Sequence, residues 1–294
     1  MSQIKIVCDS SCDMPRHYEK ELNIGICPLS VTIGGKTYRE WFDLLPEDFY
    51  KLLVSAEEFP KTSLAGPELF LEQYRQAEKD GFEAVIAFTL PAAASGTFQA
   101  STIAKEMYED EGGKCRIETV DSKLLSYPYG YLVVNAAKMA QEDKTVEEIL
   151  EKTEYIRRHY EIYFAVDSLE YLKRGGRINS VKAAIGTLLD LKPILSLKNG
   201  LVEQVDMVRG SKKILPRIIQ LLKSHKGDAD FEKVVIGTAA NPVLSAKYKE
   251  KLTEEFGCTE FEDFNVGVVV GAHAGPGFSA VFVINPEFEN DYIN

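Results

Sequence analysis

The sequence predicts an α/β protein of two domains. Up to about residue 160, short apolar runs alternate with helical segments, which is typical of a parallel sheet with helices on both faces. Beyond that point, Asn199-Gly200 predicts a hairpin turn between two apolar runs, and strands mix with helices. We therefore expect an N-terminal α/β domain over residues 1–160, with a parallel sheet flanked by helices. Residues 161–294 should form a C-terminal α+β domain with a mixed or antiparallel sheet.

The elements of the first domain follow from local signals. Buried apolar runs predict strands at residues 4–7, 84–90 and 115–120. Gly34-Gly35 predicts a hairpin turn between two further strand-like runs. Helices begin at Pro46 and Pro67, because proline fits the first helical turn and the acids that follow complement the helix dipole. Further helices are predicted after Pro15 and over residues 97–109, 129–141 and 146–159.

The second domain contains more strands. They are predicted at residues 162–166, 194–197, 201–208, 233–238, 259–264, 266–270 and 278–284. Helices are predicted at residues 182–189 and 212–223, and Asn241-Pro242 should cap another. The apolar run 266–270 is followed by a glycine-rich segment, residues 271–277, which we expect to form a tight turn that presents His273.

The composition limits the classes of function. The 294 residues carry a net charge of −11, which argues against a nucleic-acid partner. The five cysteines are scattered, and Cys8, Cys12 and His17 fit no standard zinc pattern, so we expect reduced thiols and no metal. The chain shows neither a signal-peptide pattern nor a transmembrane segment, which would need about 20 apolar residues. A soluble, cytoplasmic protein is expected.

Hydroxyl-bearing loops suggest a binding site. Ser95-Gly96-Thr97 follows a predicted strand, as Asp9-Ser10-Ser11 and Asp121-Ser122 also do, and the carboxyl ends of parallel strands meet at one edge. Thr62-Ser63 precedes a helix whose free N–H groups favour an anion. Together with His273, these groups suit a small oxyanion such as a carboxylate. The alternative is that these residues serve only as helix caps and turns.

Two other interpretations stay open. A serine esterase would use Ser95 and His273, although the nucleophile-elbow frame G-x-S-x-G lacks its first glycine here. Arg177, after Gly175-Gly176, either follows a helix stop or contacts an anion. A second basic cluster, which favours an acidic or phosphate-handling partner, comprises Arg209, Lys212, Lys213 and Arg217.

Short motifs occur in a characteristic order along the chain, at residues 6–11, 61–63, 95–99, 120–123, 169–178, 192–195, 208–210 and 271–277. This ordered set resembles the DegV family of bacterial lipid-binding proteins, whose members include the fatty-acid-binding subunit of fatty acid kinase. The resemblance extends over essentially the whole chain.

The resemblance implies a fatty acid in a tunnel between the two domains, with no cofactor and no catalytic activity of the chain itself. The carboxylate would meet hydroxyls and amides of the motifs at Thr62, Ser95, Gly96 and Thr97, together with His273. Supporting residues would be Ser63, Arg177 and Gly275. A separate ATP-dependent kinase subunit would phosphorylate the carboxylate for phospholipid metabolism, and Arg209 would face it.

Two departures from the family pattern leave details open. Cys8 stands where a hydroxyl is usual, and Ala92-Ala93-Ala94 replaces serines and a leucine. Both affect head-group contacts and chain preference rather than the general class. A carrier of another apolar acid, without a kinase partner, is the third interpretation.

Overall fold

The computed structural model describes residues 3–178 and 191–290. The strands are β1 (Ile4–Asp9), β2 (Gly25–Cys27), β3 (Ser30–Ile33), β4 (Lys36–Arg39), β5 (Lys61–Ser63), β6 (Ala84–Thr89), β7 (Arg116–Asp121), β8 (Tyr160–Ala165), β9 (Leu191–Lys198), β10 (Leu201–Arg209), β11 (Lys233–Thr238), β12 (Glu262–Asn265) and β13 (Ser279–Ile284). The helices are α1 (His17–Glu21), α2 (Pro46–Ser55), α3 (Pro67–Lys79), α4 (Thr97–Asp110), α5 (Tyr127–Gln141), α6 (Val146–His159), α7 (Glu170–Arg174), α8 (Ile214–His225), α9 (Pro242–Phe256) and α10 (Val268–Ala274). The helix expected at residues 182–189 lies outside the described residues.

Three sheets organise the described part of the chain. The first is a parallel sheet in the order β2-β1-β6-β7. The second is a mixed sheet in the order β10-β9-β8-β13-β11-β12, in which β11 and β12 are parallel and the other pairs antiparallel. The third is a small antiparallel sheet in the order β4-β3-β5. The prediction of a parallel first sheet and a mixed second sheet is confirmed.

The parallel sheet is buried on both faces because apolar residues alternate sides along its central strands. In β6, Ile86 and Phe88 join a cluster with α5 and α6, whereas Val85 and Ala87 join another with α3 and α4. The mixed sheet is likewise covered. The face of β8 that carries Ile162 belongs to the first of these clusters, and the opposite face packs against α8 and α9.

Several local predictions are confirmed. The Gly34-Gly35 turn joins β3 and β4, and the Asn199-Gly200 turn joins β9 and β10. Asn241 caps α9, where its side chain accepts a hydrogen bond from the backbone N–H of Leu244 at 3.0 Å. Among the helices of the described residues, none is long and apolar enough to cross a membrane.

The strand predicted at residues 266–270 is wrong, because the chain forms the helix α10 over Val268–Ala274. A short, continuous apolar run does not distinguish a buried strand from a buried helix. Here the helix is nearly all buried, and distant side chains bind its first backbone N–H groups. His273 therefore lies in the last turn of a helix, which ends at Gly275 with a φ of +80°.

Candidate functional site

A cavity of about 640 Å³ lies between the two main sheets. Most of its wall is apolar and comes from both halves of the chain. Representative apolar lining residues are Leu29, Leu90, Ile162, Phe164, Leu197 and Phe278. A cavity of this size with apolar walls suits a small hydrophobic ligand, which it can remove from water.

One end of the cavity is polar. This polar end is formed by Thr62, Ser63, Ser95, Gly96, Arg177 and His273. Three of these residues, Ser63, Gly96 and Arg177, are exposed, so the polar end is also where the cavity approaches solvent. The remaining predicted site residues, Thr97 and Gly275, are not among those that line the cavity.

Thr62 reaches the cavity from β5, which pairs with β3 so that Thr62 lies opposite Val31. Ser95 lies in the loop after β6, where the backbone N–H of Ser95 donates to the Pro91 carbonyl at 3.0 Å. Ser95 and Thr97 contact each other through their hydroxyl oxygens at 2.9 Å. Because Thr97 is fully buried, it lies behind Ser95 as seen from the cavity.

His273, from the C-terminal half of the chain, contacts Thr62 from the N-terminal half. Its Nε2 lies 3.0 Å from the Thr62 hydroxyl oxygen, whereas its Nδ1 is buried without a hydrogen-bond partner. Burial, and to a smaller extent the positive charge of Arg177, lower the pKa of His273 from 6.5 to about 4. The imidazole is therefore neutral near pH 7.

Arg177 links the two domains at the polar end. Its Nε donates to the carbonyl of Ala94 at 3.3 Å, and its Nη1 donates to the carbonyl of Gly175 at 2.6 Å. The guanidinium thus sits beside the Ser95 loop, and its charge favours an anionic ligand there. Of the two roles that the sequence left open for Arg177, the contact with an anion stays a prediction.

Two carboxyl groups, the buried one of Glu40 and the half-buried one of Asp13, hold the first turn of α10. Glu40 accepts from the backbone N–H of Val269 at 2.7 Å and from the Ser10 hydroxyl at 2.7 Å. Burial raises the pKa of Glu40 to about 7. Burial and the nearby charge of Glu40 also raise the pKa of Asp13, which accepts hydrogen bonds from Ser126 and from the backbone of Gly267. Neither carboxyl group was expected from the sequence, because both act on a segment more than 200 positions away.

The other polar loops have structural roles. Asp9 accepts from the backbone N–H groups of Ser11 at 3.0 Å and Leu90 at 2.7 Å, so it ties the end of β1 to the loop after β6. Ser122 accepts from the backbone N–H of Leu124 at 3.2 Å. Asp9 and Ser122 are buried and do not line the cavity, so for these loops the turn interpretation is the better one.

The two departures from the family pattern lie in different places. Cys8 is buried with its Sγ 3.8 Å from that of Cys12, and it does not line the cavity. Ala93 and Ala94 do line it, next to Ser95. Within the described residues, no group of three or more His, Cys, Asp or Glu side chains could hold a metal ion.

Arg209 lies at the end of β10, exposed and outside the cavity wall. Lys212 and Lys213 follow it and are also exposed. Arg217 differs from these three because it is paired with Asp206. The basic patch at the surface therefore consists of Arg209, Lys212 and Lys213.

The fold and this site define a two-domain α/β protein with an apolar cavity that is polar at one end. The chain belongs to the DegV family: the profile of that family, described as uncharacterised protein of the DegV family, matches residues 3–286. A DegV domain-containing protein of Caldanaerobacter subterraneus is 36% identical over 283 residues, which cover 96% of this chain and 99% of the relative. One from Listeria innocua is 34% identical over 275 residues, which cover 94% and 96%.

Solved structures show the same fold. A fatty-acid-binding DegV family protein from Thermus thermophilus matches with a TM-score of 0.87 at 30% identity, over 96% of this chain and 99% of the other chain. A stearic acid-binding protein from Eubacterium ventriosum matches with a TM-score of 0.87 at 27% identity, over 97% and 99%. The expected two-domain fold and the resemblance to the DegV family are thereby confirmed.

Proposed function

We propose that the protein binds a long-chain fatty acid, with the acyl chain in the apolar part of the cavity and the carboxylate at the polar end. The observation that carries this proposal is the combination of one apolar cavity with the Thr62, Ser95 and His273 side chains at one end. The fatty-acid-binding relatives from Thermus thermophilus and Eubacterium ventriosum support it.

The energetics agree with such a ligand. Each methylene group removed from water contributes about 0.8 kcal/mol, so a sixteen-carbon chain gains on the order of 10 kcal/mol before ordering costs. A buried carboxylate needs hydrogen-bond donors, since an unpaired charge is very costly to bury. The hydroxyls of Thr62 and Ser95 can donate to it, the N-terminus of α4 favours an anion, and Arg177 adds a positive charge.

The position of the polar end supports a role as a carrier. Ser63, Gly96 and Arg177 are exposed there, so a carboxylate held by Ser95 would be close to solvent and to a docking partner. We take that partner to be a separate ATP-dependent kinase subunit, which would form the acyl phosphate for phospholipid metabolism. The exposed Arg209 on a chain of net charge −11 offers such a partner a local basic contact. Under this proposal the chain is a cytoplasmic, non-catalytic carrier, with domains over residues 1–160 and 161–294.

The esterase interpretation has less support. His273 Nε2 contacts Thr62, while the hydroxyl of Ser95 contacts Thr97, so Ser95 and His273 do not form a nucleophile and base pair. The third interpretation, a carrier for another apolar acid, differs from our proposal only in the ligand and the partner, and the experiment below separates the two.

Native mass spectrometry of the purified protein, followed by organic extraction, tests the ligand. We expect a bound mass that extracts as a long-chain fatty acid. A protein that is empty and also refuses added palmitate would contradict the proposal, and a different extracted acid would favour the third interpretation. Kinase coupling is tested separately, by acyl phosphate formation from the loaded protein, ATP and a kinase subunit from the same organism.

A further inference from the structure

The polar end contains two hydroxyls, and each contacts a second polar side chain. Thr62 contacts His273, and Ser95 contacts Thr97. A hydroxyl has one proton to donate, so its usefulness to an anionic ligand depends on where these second side chains direct that proton. The surroundings of His273 and Thr97 determine the direction of each proton.

We infer that His273 and Thr97 are positioning residues that make Thr62 and Ser95 hydrogen-bond donors towards the cavity, and that Gly175 selects the His273 tautomer this requires. The inference rests on the proposed function only in taking the ligand to be a carboxylate. The hydrogen positions themselves follow from contacts within the protein.

Gly175 determines which ring nitrogen carries the proton. A Cβ atom at position 175 would lie only 2.0 Å from His273 Nδ1, so the Gly175 hydrogen that takes the place of a side chain points at this nitrogen. The Gly175 Cα is then within about 3.5 Å of Nδ1, the range of a weak C–H hydrogen bond. A lone pair on Nδ1 accepts this contact, whereas an N–H there would collide with it and would also be a buried donor without a partner. The ring proton is therefore on Nε2.

The tautomer determines the role of Thr62. With its proton on Nε2, His273 donates to the Thr62 hydroxyl oxygen 3.0 Å away. Among the described residues, His273 is the only hydrogen-bond partner of this hydroxyl, so its proton is free to point into the cavity. In the other tautomer, Thr62 would donate to His273 and would have no proton left for a ligand.

Thr97 fixes the direction of the Ser95 hydroxyl proton, as His273 does for Thr62. The Ser95 oxygen lies 2.9 Å from the Thr97 hydroxyl, and it also accepts from the Thr97 backbone N–H at 3.3 Å. Thr97 is completely buried, and the described residues offer its hydroxyl no other acceptor. If Ser95 donated to Thr97, the Thr97 proton would be buried and unpaired, which is costly. Thr97 therefore donates, and Ser95 keeps its proton for the cavity.

Two consequences follow for specificity. Both hydroxyls act as donors, so the polar end favours an ionised carboxylate over groups that accept hydrogen bonds more weakly, such as an ester. In addition, a His273 that is protonated at Nε2 cannot remove the Thr62 proton, so the Thr62 and His273 pair is unsuited to nucleophilic catalysis.

The tautomer can be measured directly. The full chain, labelled with ¹⁵N-histidine, would be studied by long-range ¹H–¹⁵N correlation NMR at pH 7, with and without palmitate. The protein has four histidines, and His273→Gln identifies the signal of interest. We expect the Nε2–H pattern in both samples, and an Nδ1–H or averaged pattern overturns the inference. Palmitate affinity is measured on the same samples, so a protein that does not bind palmitate refutes the proposed function, whatever its tautomer.

Variants test the role of Gly175. In Gly175→Ala the new methyl group would overlap His273 Nδ1, so we expect the ring to move, the Nε2–H signature to change and palmitate to bind at least about tenfold more weakly. Gly176→Ala is the control: its Cβ would meet no atom within 4 Å, although Gly176 has a positive φ of +73° whereas Gly175 has a helical φ of −72°. The control carries a backbone strain that Gly175→Ala does not have, and it should nevertheless keep the tautomer.

A comparison of two ligands separates positioning from general damage. Thr97→Val removes the donor to Ser95, whereas Thr97→Ser retains it. We expect Thr97→Val to lower the affinity for palmitate at least about fivefold more than the affinity for methyl palmitate, and Thr97→Ser to restore the wild-type ratio. Equal losses for both ligands in Thr97→Val would show a purely structural role and would overturn the inference for Thr97.

Discussion

One oxygen of Glu40 lies 2.7 Å from the backbone nitrogen of Val269, although the two residues are 229 positions apart. This bond holds the first turn of α10, and His273 lies in the last turn of the same helix. The position of His273 beside Thr62 therefore depends on a carboxyl group outside the cavity wall. Because burial raises the pKa of that carboxyl group, the stability that it gives to α10 depends on pH.

The first prediction concerns Glu40 and pH. Burial raises the pKa of Glu40 from 4.5 to about 7 in the folded protein. Between these values the folded state holds a proton that the unfolded state releases, so the contribution of Glu40 to stability decreases as the pH rises through this window. Thermal unfolding of Glu40→Gln should therefore depend less on pH between about 4.5 and 7 than that of the wild type.

The same variant should also lose stability at pH 5, by about 1–3 kcal/mol, because the amide cannot replace every hydrogen bond of the carboxyl group. The exposed Glu57→Gln is the control and should follow the wild-type curve. If the Glu40→Gln curve runs parallel to the wild-type curve, the carboxyl group titrates equally in both states and our account of α10 is incorrect.

Ser95→Ala tests the head-group contact. Removal of the hydroxyl leaves a buried carboxylate oxygen without a donor, so we expect palmitate binding to weaken by about 1–3 kcal/mol. Isothermal titration calorimetry measures the change, and Ser55→Ala, on the exposed end of α2, is the matched control. Unchanged retention of the ligand in Ser95→Ala would place the carboxylate elsewhere in the cavity.

Arg209→Glu tests the partner surface. Arg209 is exposed and does not line the cavity, so the charge reversal should leave palmitate affinity unchanged. It should slow acyl phosphate formation by the kinase subunit, because a repulsive charge replaces an attractive one at the interface. Lys20→Glu, an equally drastic reversal at the exposed end of α1, should have little effect on either measurement. The opposite pattern for Arg209→Glu, weak lipid binding with normal coupling, would mean that Arg209 belongs to the lipid site.

A fluorophosphonate probe distinguishes carrier from esterase. We expect no labelling of Ser95, because its hydroxyl contacts Thr97 and His273 contacts Thr62 instead. Mass spectrometry of peptides from the treated protein detects whether Ser95 carries the label. Labelling of Ser95 that is lost in His273→Gln would establish a serine nucleophile with a histidine base.

Local chemistry explains which parts of the structure the sequence predicted. The Asn199-Gly200 turn and the Asn241 cap depend on backbone conformations and side-chain bonds within four residues, so they can be identified without knowledge of the fold. The helix α10 could not be identified in this way. Its apolar, β-branched sequence also suits a strand, and the groups that stabilise its first turn, Asp13 and Glu40, come from the other end of the chain.

The same reasoning applies to the site. Strand-end loops predicted that Ser95 would lie near a ligand edge, and the structure places it on the cavity wall. Thr62 and His273 were both proposed for the anion site from the sequence, but their direct contact depends on the packing of both domains and was not predicted. That Thr97 lies behind Ser95, and that Gly175 touches the imidazole, follows from three-dimensional contacts that no sequence pattern encodes.

The last prediction concerns the ionisation of the bound acid. If Thr62 and Ser95 both donate and Arg177 adds its charge, the ionised form of the ligand is favoured, so its pKa should be lower when bound than in free solution. The ¹³C chemical shift of [1-¹³C]palmitate, followed through a pH titration of the complex, reports this pKa directly. Thr62→Val removes one donor and should raise the pKa of the bound acid, whereas Thr62→Ser should keep it low. A bound acid that titrates at the same pH in the wild type and in Thr62→Val would mean that the Thr62 proton does not point at the carboxylate.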